Sequence, residues 1–328
     1  MKKAAFVMAK GMEITEEMTA LACPGGVPYF LEDAYLEEAA DLCSLCPEAR
    51  AAFMQEAREI RASREKTERL WHCHYMLNNL GKAPHYVEQN FFMTYAVLAA
   101  LPRTKAFYQM HNIPLSILKA GALDLQIWAV DGFEKTGRWG NLHWGWLKNS
   151  FNPSLFRLGR LEFEARPWHE ENKLIRRNGK LEFVPLDEEV QEPVLMQYQD
   201  MYINVHIPAM APLDYEACKA SFAEARAFYP KYLPEIQPKC YRCCSWLMDR
   251  QLRHCLPEGS NILRFQSFFE DVFKADGDDR QHRERIFGNP DIPLDQAPRK
   301  TSLQRNFLAC LEQGIHFKVG QGIMFGGQ

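Results

Sequence analysis

The sequence predicts an α+β fold in which a helical domain precedes a mainly antiparallel sheet. Strong helix formers fill the stretch from Pro47 to Gly81. Alternating polar and apolar residues dominate after about residue 150, and Asn178-Gly179 marks a hairpin turn. One strand, helix, strand unit lies within residues 201–247. Because helices come first and strands follow, we expect a helical domain at 1–149 and a sheet domain at 150–328.

Composition and charge describe an ordinary globular chain. It has 328 residues, of which 47% are hydrophobic and 25% charged, and its formal net charge is -3. This balance does not favour a nucleic-acid or membrane-surface partner. The opening MKKAAFVMAKGMEITEE lacks the apolar core of a signal peptide, and the apolar run at 91–101 is shorter than the roughly 20 residues of a membrane span. We expect a cytoplasmic protein with its ten cysteines reduced; the oligomeric state stays open.

Three helices are predicted in the first domain, forming a bundle or cap. The first runs from Pro47 to Gly81, with proline in the first turn and glycine as terminator. The second runs from Val87 to Leu101 and is stopped by Pro102. The third runs from Pro114 to about Val130. A glycine-rich connector that contains Trp139, Trp144 and Trp146 then leads to the strands.

The first strands of the second domain are predicted from alternation and turn chemistry. Leu155–Ala165 alternates, with Arg160, Glu162 and Glu164 on one face. Asn178-Gly179 favours a type I′ turn, because both of its central residues need positive φ. Residues 194–199 and 201–207 form one strand or two, joined near residue 200.

The remaining elements alternate between helix and strand. Leu213–Tyr229 carries small residues on one face and is predicted helical, and Cys240–Leu247 is a strand candidate. Asn261–Phe273 is predicted as a further strand. Thr301–Gln313 is predicted as a helix with Thr301 as N-cap and a terminating glycine after it, and His316–Phe325 as a last strand.

Five motifs occur in order and resemble one bacterial family of acyltransferases. They are LFRLGRLEFE (155–164), HIP (206–208), CSWLM (244–248), SNILRFQSFF (260–269) and TSLQRNFL (301–308). Members of that family join a helical N-acyltransferase N-terminal domain to a GNAT-like C-terminal domain. The resemblance covers most of the chain from about residue 110. It implies a mixed, mostly antiparallel sheet with flanking helices, and the transfer of an acyl group from acyl-CoA to an amine.

The resemblance also implies where acyl-CoA would bind. The fourth strand would be Met201–Ile207 and the fifth Cys240–Leu247, with pantetheine in a gap between them. The pyrophosphate would lie on the loop and helix N-terminus that follow the fourth strand, where free N–H groups attract anions. The residues implied as CoA contacts are Ile207, Ala209, Met210, Ala211 and Leu213.

The residues of that loop leave CoA binding open. The usual GNAT loop reads Arg/Gln-x-x-Gly-x-Gly/Ala, whereas this one reads Pro208-Ala209-Met210-Ala211-Pro212. The small alanines would let the backbone approach a phosphate. The two prolines, however, remove two donors, and Asp214 puts a negative charge in the first helical turn.

His206 and Glu164 are the candidate bases. An unperturbed imidazole titrates near neutral pH, as a base for an amine needs. His206 shares a strand face with Tyr202 and Asn204, and it is alternatively a structural histidine bonded to a neighbouring strand. Glu164 is the second candidate, and a solvated, charge-paired strand face is its alternative.

Tyr241 and Ser245 share one face of the predicted fifth strand, and either hydroxyl could return a proton to the CoA thiolate. Core hydrogen bonding is the alternative role. Cys244 lacks the neighbours that would make it a nucleophile. Cys43-x-x-Cys46 with His72 and His74 is only half of a zinc motif, so no metal is expected.

The leading hypothesis is therefore an N-acyltransferase of the GNAT class. Its co-substrate would be acetyl-CoA or another acyl-CoA, and its acceptor an amine of a small molecule or peptide. The alternative is a catalytically silent GNAT-like binding or scaffold protein, which the prolines and acidic residue of the loop support. The acceptor and the acyl length stay open.

Overall fold

A computed structural model describes residues 27–82, 84, 90–169, 171–209, 211–274 and 278–325. Residue contacts divide the chain into two units, Met1–Arg157 and Leu158–Gln328. The boundary predicted from the sequence lies near residue 150. The two units are called the N-terminal and C-terminal unit below.

The described part of the N-terminal unit is helical. A 3₁₀ turn at Tyr29–Leu31 precedes eight α-helices among the described residues: α1 Asp33–Leu42, α2 Pro47–Arg61, α3 Arg64–Asn79, α4 Phe92–Leu98, α5 Leu101–Met110, α6 Leu115–Ala122, α7 Asp124–Thr136 and α8 Trp144–Phe151. All seven residues of α4 are buried, so this short helix lies in the core of the unit. Tyr95 anchors it by donating its hydroxyl to the Phe53 carbonyl at 2.6 Å.

Two predicted helices are each two helices in the structure. The stretch predicted from Pro47 to Gly81 breaks after α2, because Ser63 caps α3 by accepting from the Lys66 N–H. The stretch predicted from Pro114 divides into α6 and α7. It ends at Thr136 rather than near Val130, and the next residue, Gly137, has a φ of +72°.

The prolines and tryptophans of this unit also act differently from the prediction. Pro102 lies in the first turn of α5 and starts a helix instead of ending one. The predicted helix from Val87 begins outside the described residues, and α4 starts at Phe92. The second half of the tryptophan-rich connector forms α8.

The C-terminal unit contains two sheets, and the chain enters it within β1. The strands are β1 Leu155–Leu158, β2 Leu161–Pro167, β3 Asn172–Arg177, β4 Lys180–Pro185, β5 Val194–Met196, β6 Met201–His206, β7 Cys240–Ser245, β8 Glu270–Lys274 and β9 Gly320–Phe325. A six-stranded sheet has the order β1-β2-β6-β7-β9-β8, and a three-stranded sheet has the order β4-β3-β5. β6 and β7 pair in parallel, whereas β2 with β6, β7 with β9 and β8 with β9 are antiparallel.

Helices flank the larger sheet: α9 Tyr215–Tyr232, α10 Asn261–Gln266, α11 Arg280–Phe287 and α12 Ser302–Glu312. Phe222 of α9 packs against Phe163 of β2 and Tyr241 of β7, which attaches the helix to the sheet. The predicted α+β class, with helices first and then a mixed, mostly antiparallel sheet, is confirmed.

Local turn and cap chemistry agrees with the prediction in two places. Asn178 and Gly179 have φ values of 51° and 76° between β3 and β4, as a type I′ turn requires. Thr301 and Gln304 form a capping box at the start of α12, and Gly314 follows its end with a φ of 77°.

The segment predicted as a strand from Asn261 to Phe273 is instead a helix followed by a strand. Ser260 caps α10 by accepting from the Leu263 N–H, so the first half of the segment folds as a helix. Pairing with β9 begins only at Glu270. The last strand, β9, starts at Gly320 rather than His316.

Candidate active site

The parallel ladder at the centre of the larger sheet ends before its strands do. β6 and β7 pair at Tyr202–Cys240, Ile203–Tyr241 and Asn204–Arg242. The outer ladders continue further, since β2 pairs with β6 as far as His206 and β9 pairs with β7 as far as Ser245. The inner edges of the two strands beyond Asn204 and Arg242 therefore border a gap, where backbone groups can bond an extended ligand.

His206 and Glu164 meet on one face of the sheet beside this gap. Antiparallel pairing sets Glu162 opposite His206 and Glu164 opposite Asn204. His206 Nε2 lies 3.0 Å from Glu164 Oε2, and Arg166 Nε donates to the same oxygen at 2.8 Å. Glu164 is only 5% exposed. The two candidate bases from the sequence are thus in direct contact.

The charge on Glu164 fixes how the histidine is protonated. Burial alone would raise the pKa of Glu164, but hydrogen bonds from His206 and Arg166 outweigh burial and hold this pKa below its ordinary value. An ionised carboxylate can only accept, so His206 Nε2 carries the hydrogen. In the neutral imidazole, Nδ1 is then the nitrogen that can take a proton. Asn204 Nδ2 lies 3.1 Å from Nε2. Because Nε2 donates its one hydrogen to Glu164, it does not also accept from this amide.

The glutamates of β2 are buried, so the solvated strand face considered for them is wrong. Glu162 is 1% exposed and Glu164 is 5% exposed. Of the two, Glu164 contacts His206, and it is also paired with Arg166. The charge pairing considered for this strand face is therefore present at Glu164, but the carboxylate itself is buried.

Tyr241 and Ser245 lie on the other face of the sheet. Tyr241 pairs with Ile203, and paired residues lie on the same face of the sheet. Side chains alternate along a strand, so Ile203 lies on the face opposite to that of Asn204 and His206. The Tyr241 ring lies 5.8 Å from that of Phe222, and burial raises its pKa to about 12. Ser245 Oγ accepts from the Leu247 N–H at 3.2 Å and so caps the 3₁₀ turn after β7. Neither hydroxyl shares a sheet face with His206.

The loop implied as the CoA contact carries a cation that the sequence did not place there. Ala209 and Ala211 are exposed, Ile207 and Leu213 are half-buried, and Met210 lies outside the described residues. Arg160 donates from Nε to the Pro212 carbonyl and from Nη2 to the Ala211 carbonyl, both at 2.8 Å. The loop therefore has a guanidinium beside it, although its own sequence has none.

Two features of the adjacent turn and helix fix this arrangement. Gly159 has a φ of +63°, and a Cβ on it would lie 2.7 Å from Ser221 Oγ in α9. The Arg160 N–H donates to the same Ser221 oxygen at 2.7 Å. At the start of α9, Asp214 accepts from the Ala217 N–H at 2.8 Å and caps the helix. The helix N-terminus is thus partly satisfied by its own aspartate.

Arg242 is a second cation that sequence reasoning missed. It is 8% exposed and forms the last pair of the parallel ladder with Asn204. Its guanidinium donates from Nε and Nη2 to Gln321 Oε1 at 3.1 and 2.8 Å, and lies 5.0 Å from the centre of the Trp168 ring. It therefore places positive charge at the closed end of the gap.

Within the described residues, no group of three or more His, Cys, Asp or Glu side chains could hold a metal ion. Over the same part of the chain, no helix combines the length and apolar character needed to cross a bilayer. Cys244 is exposed, whereas Cys240 and Cys243 are buried thiols.

A mixed sheet whose parallel central strands part at their carboxyl ends, followed by a loop and a helix, is the arrangement of GNAT-like acyltransferases. The chain matches the model of the GNAT-like C-terminal domain over residues 155–324 and that of the N-acyltransferase N-terminal domain over residues 34–152. It belongs to the family with the GNAT-like C-terminal domain, and the resemblance read from the sequence is confirmed.

Solved structures of acyltransferases share the fold. One in complex with CoA and 10C-teicoplanin is 21% identical with a TM-score of 0.70, covering 94% of this chain and 93% of that one. One with decanoyl-CoA and teicoplanin is 22% identical with a TM-score of 0.69 and the same coverage. A mutant with octanoyl-CoA is 21% identical with a TM-score of 0.67, covering 90% and 88%. A search of curated proteins found no match.

Proposed function

We propose that this acyltransferase moves an acyl group from acyl-CoA to an amine, with the gap between β6 and β7 as its centre. The observation that carries the proposal is the parallel ladder that stops at Asn204 and Arg242, with the His206–Glu164 pair on one face beside it. The gap offers strand-edge N–H and C=O groups to the amides of pantetheine. The thioester would then lie near the carboxyl end of β6.

In the proposed reaction the base is His206, oriented by Glu164. Glu164 holds Nε2–H, and Nδ1 takes the proton from the acceptor amine as its nitrogen attacks the thioester carbonyl carbon. N–H groups at the Ile207–Ala209 end of β6 would stabilise the oxyanion. The C–S bond then breaks, and the thiolate leaves as CoA after receiving a proton.

The source of that last proton remains a prediction. The neutral hydroxyl of Tyr241 suits a donor, because burial keeps its pKa at about 12, but it lies on the other sheet face. Ser245 is engaged as a cap. The imidazolium that has just formed on His206 is a third source that needs no further group, since it must lose a proton before the next turnover.

The loop after β6 is the proposed site of the pyrophosphate. Arg160 supports this role, because it adds the positive charge that the residues Ile207, Ala209, Met210, Ala211 and Leu213 do not supply. The capping carboxylate of Asp214 works against it. The acyl length is a separate question: acetyl is the expectation from the sequence, and the structural relatives that hold octanoyl- and decanoyl-CoA favour a medium chain.

Binding and turnover test the proposal separately. Calorimetric titration with acetyl-, octanoyl- and decanoyl-CoA should show binding of at least one, and thiol release in the presence of a panel of amines should show transfer. The His206→Ala variant should keep acyl-CoA binding and lose transfer. A matched control is His169→Ala, since His169 is an exposed histidine outside the gap.

The silent scaffold is the second candidate, and the capped helix start and the two prolines of the loop favour it. It predicts no thiol release for any amine and no difference between wild type and His206→Ala. Absence of binding by every acyl-CoA at millimolar concentration would remove the acyl-transfer proposal.

A further inference from the structure

A cavity of about 420 Å³ in the C-terminal unit lies between the turn after β7 and the segment that leads into β9. Its wall includes the apolar residues Met248, Ile315 and Val319. Its rim carries the exposed side chains of Arg250, His316 and Lys318. Because Ser245 pairs with Gly320, the cavity lies at the carboxyl end of β7, the same end of the sheet at which β6 and β7 cease to pair.

Among the described residues that line the cavity, only Asp249 carries a carboxylate, and this group holds the two walls together. Asp249 is 7% exposed, and its Oδ1 accepts from the Gln251 N–H at 2.9 Å. Its Oδ2 accepts from the Lys318 N–H on the opposite wall at 2.6 Å. His282, fully buried behind it, places Nε2 3.4 Å from the same oxygen. Asp249 therefore acts as a tie between the walls and is not available to a ligand.

The walls are also fixed by a close backbone approach. A Cβ on Gly320 would lie 2.2 Å from the Met248 carbonyl oxygen and 2.8 Å from the Asp249 nitrogen. Only glycine fits there, so the start of β9 lies directly against the turn after β7. The cavity is thus held in place by β9, by a hydrogen-bonded carboxylate and by backbone contact, which suits a preformed binding site.

The rim charges determine what the cavity can bind. Among the described residues, neither Lys318 Nζ nor the His316 ring has an acidic side chain within ion-pair distance. With Asp249 engaged, the cavity combines an apolar wall with the cationic side chains of Arg250 and Lys318 at its mouth. This combination fits a ligand that has an apolar body and an anionic end, for which a carboxylate is the simplest group.

We propose that this cavity binds the carboxylate of the acyl acceptor, so that the acceptor is an amino acid or short peptide with an apolar side chain. The inference rests on the proposed acyl transfer, because it assigns the second substrate of that reaction. Lys318 and His316 would hold the carboxylate, and Met248, Ile315 and Val319 would contact the side chain. The amine would then face the open end of the gap.

Direct binding of two ligands that differ only in charge tests this inference without turnover. N-acetyl-L-phenylalanine carries the carboxylate of the expected product class, and N-acetyl-L-phenylalaninamide lacks it. Calorimetry should show that the acid binds about tenfold more tightly than the amide, as expected for one charge-assisted contact. The Lys318→Met variant should remove this difference, and its backbone bond to Asp249 is retained.

Control variants and a second ligand separate the outcomes. Lys300→Met, at an exposed lysine outside the cavity, should keep the difference, and His316→Gln should reduce it. Equal binding of acid and amide, binding of neither at millimolar concentration, or an equal effect of Lys300→Met would overturn the inference. So would a loss of CoA affinity in Lys318→Met with no change for the acid, since the rim would then bind a CoA phosphate.

Failure of this inference and failure of the proposed function look different. If acyl-CoA binds and is turned over while acid and amide bind equally, only the assignment of the acceptor is wrong. If the acid binds through Lys318 while no acyl-CoA binds, the proposed acyl transfer is wrong, and the cavity is still a carboxylate site.

Discussion

Replacing Gly159 by alanine perturbs the turn that carries Arg160 to the loop after β6. Gly159 has a φ of +63°, which side chains rarely adopt, and a Cβ would lie 2.7 Å from Ser221 Oγ. Ser221 is 1% exposed, accepts from the Arg160 N–H at 2.7 Å and donates to the Ala217 carbonyl at 2.9 Å. The new methyl group therefore meets a buried hydroxyl that already has two partners.

The expected cost has two parts. A left-handed φ at a residue with a Cβ costs about 1 kcal/mol. Displacing Ser221 Oγ leaves the Arg160 N–H without its acceptor, and a buried unsatisfied donor costs about 1–3 kcal/mol. The free energy of unfolding should therefore fall by about 2–4 kcal/mol in Gly159→Ala.

Gly179→Ala is the matched control for this change. Gly179 also lies in a hairpin turn with a positive φ, 76°, but a Cβ on it has no described neighbour within 4 Å. Its variant should lose only the backbone part, about 1 kcal/mol. Urea unfolding at constant m-value measures both losses.

A double-mutant cycle identifies the close contact as the cause. In a Ser221→Ala background the hydroxyl is gone, so adding Gly159→Ala should cost only about 1 kcal/mol. The close contact with Ser221 is not the cause if Gly159→Ala destabilises no more than Gly179→Ala, or if the cost of Gly159→Ala is the same with and without the Ser221 hydroxyl.

Three further outcomes follow from the structure. Burial lowers the pKa of His74 from 6.5 to about 4, so the unfolded chain takes up this proton at a higher pH than the folded chain does. The free energy of unfolding should therefore fall by about 3 kcal/mol between pH 6.5 and pH 4, at 1.36 kcal/mol for each pH unit. Urea melts at both pH values should show a smaller loss in His74→Gln and an unchanged loss in His72→Gln. Thr301→Ala removes the capping box of α12 and should lower the free energy of unfolding by about 1 kcal/mol, while Thr301→Ser should cost a few tenths. Glu164→Gln removes the charged partner of His206. Because a hydrogen bond to a charged group contributes about 1.5–3 kcal/mol, kcat/KM should fall by roughly 10–150-fold while acyl-CoA binding is unchanged. Activity within twofold of wild type would contradict the role of Glu164.

Local chemistry was the reliable part of the sequence. The Asn178-Gly179 turn and the caps of α12 depend on residues that lie within a few positions of each other. Their conformational preferences hold whatever packs around them. Strand alternation likewise fixes that His206 shares a face with Tyr202 and Asn204 of the same strand.

Ambiguous signals explain the helix and strand errors. A proline suits the first turn of a helix as well as its end, and Pro102 was assigned to the wrong one. Ser63 interrupts a run of good helix formers, yet only its cap to the Lys66 N–H shows that a new helix begins there. The Asn261–Phe273 segment has apolar residues compatible with either period, and the cap at Ser260 decided for a helix.

The two missed site residues, Arg242 and Arg160, depend on tertiary packing, which a single sequence does not contain. Arg242 reaches the closed end of the gap because β7 lies beside β6. Arg160 is separated from its partners Ala211 and Pro212 by some fifty residues. They meet because the turn that carries Arg160 is hydrogen-bonded to Ser221 of α9. Such contacts follow from tertiary packing and not from spacing along the chain.

Arg160 also alters how the loop after β6 should be judged. From sequence alone, the prolines and Asp214 argued for a silent relative, because they removed donors and added negative charge. In the structure the loop carbonyls of Ala211 and Pro212 are bonded by a guanidinium, so positive charge comes from β2's turn and not from the loop itself. A phosphate near this loop would meet Arg160, and the same residue holds the loop in one conformation by two hydrogen bonds. The unusual loop sequence is therefore compatible with anion binding, because the cation and the loop backbone are supplied by different segments of the chain.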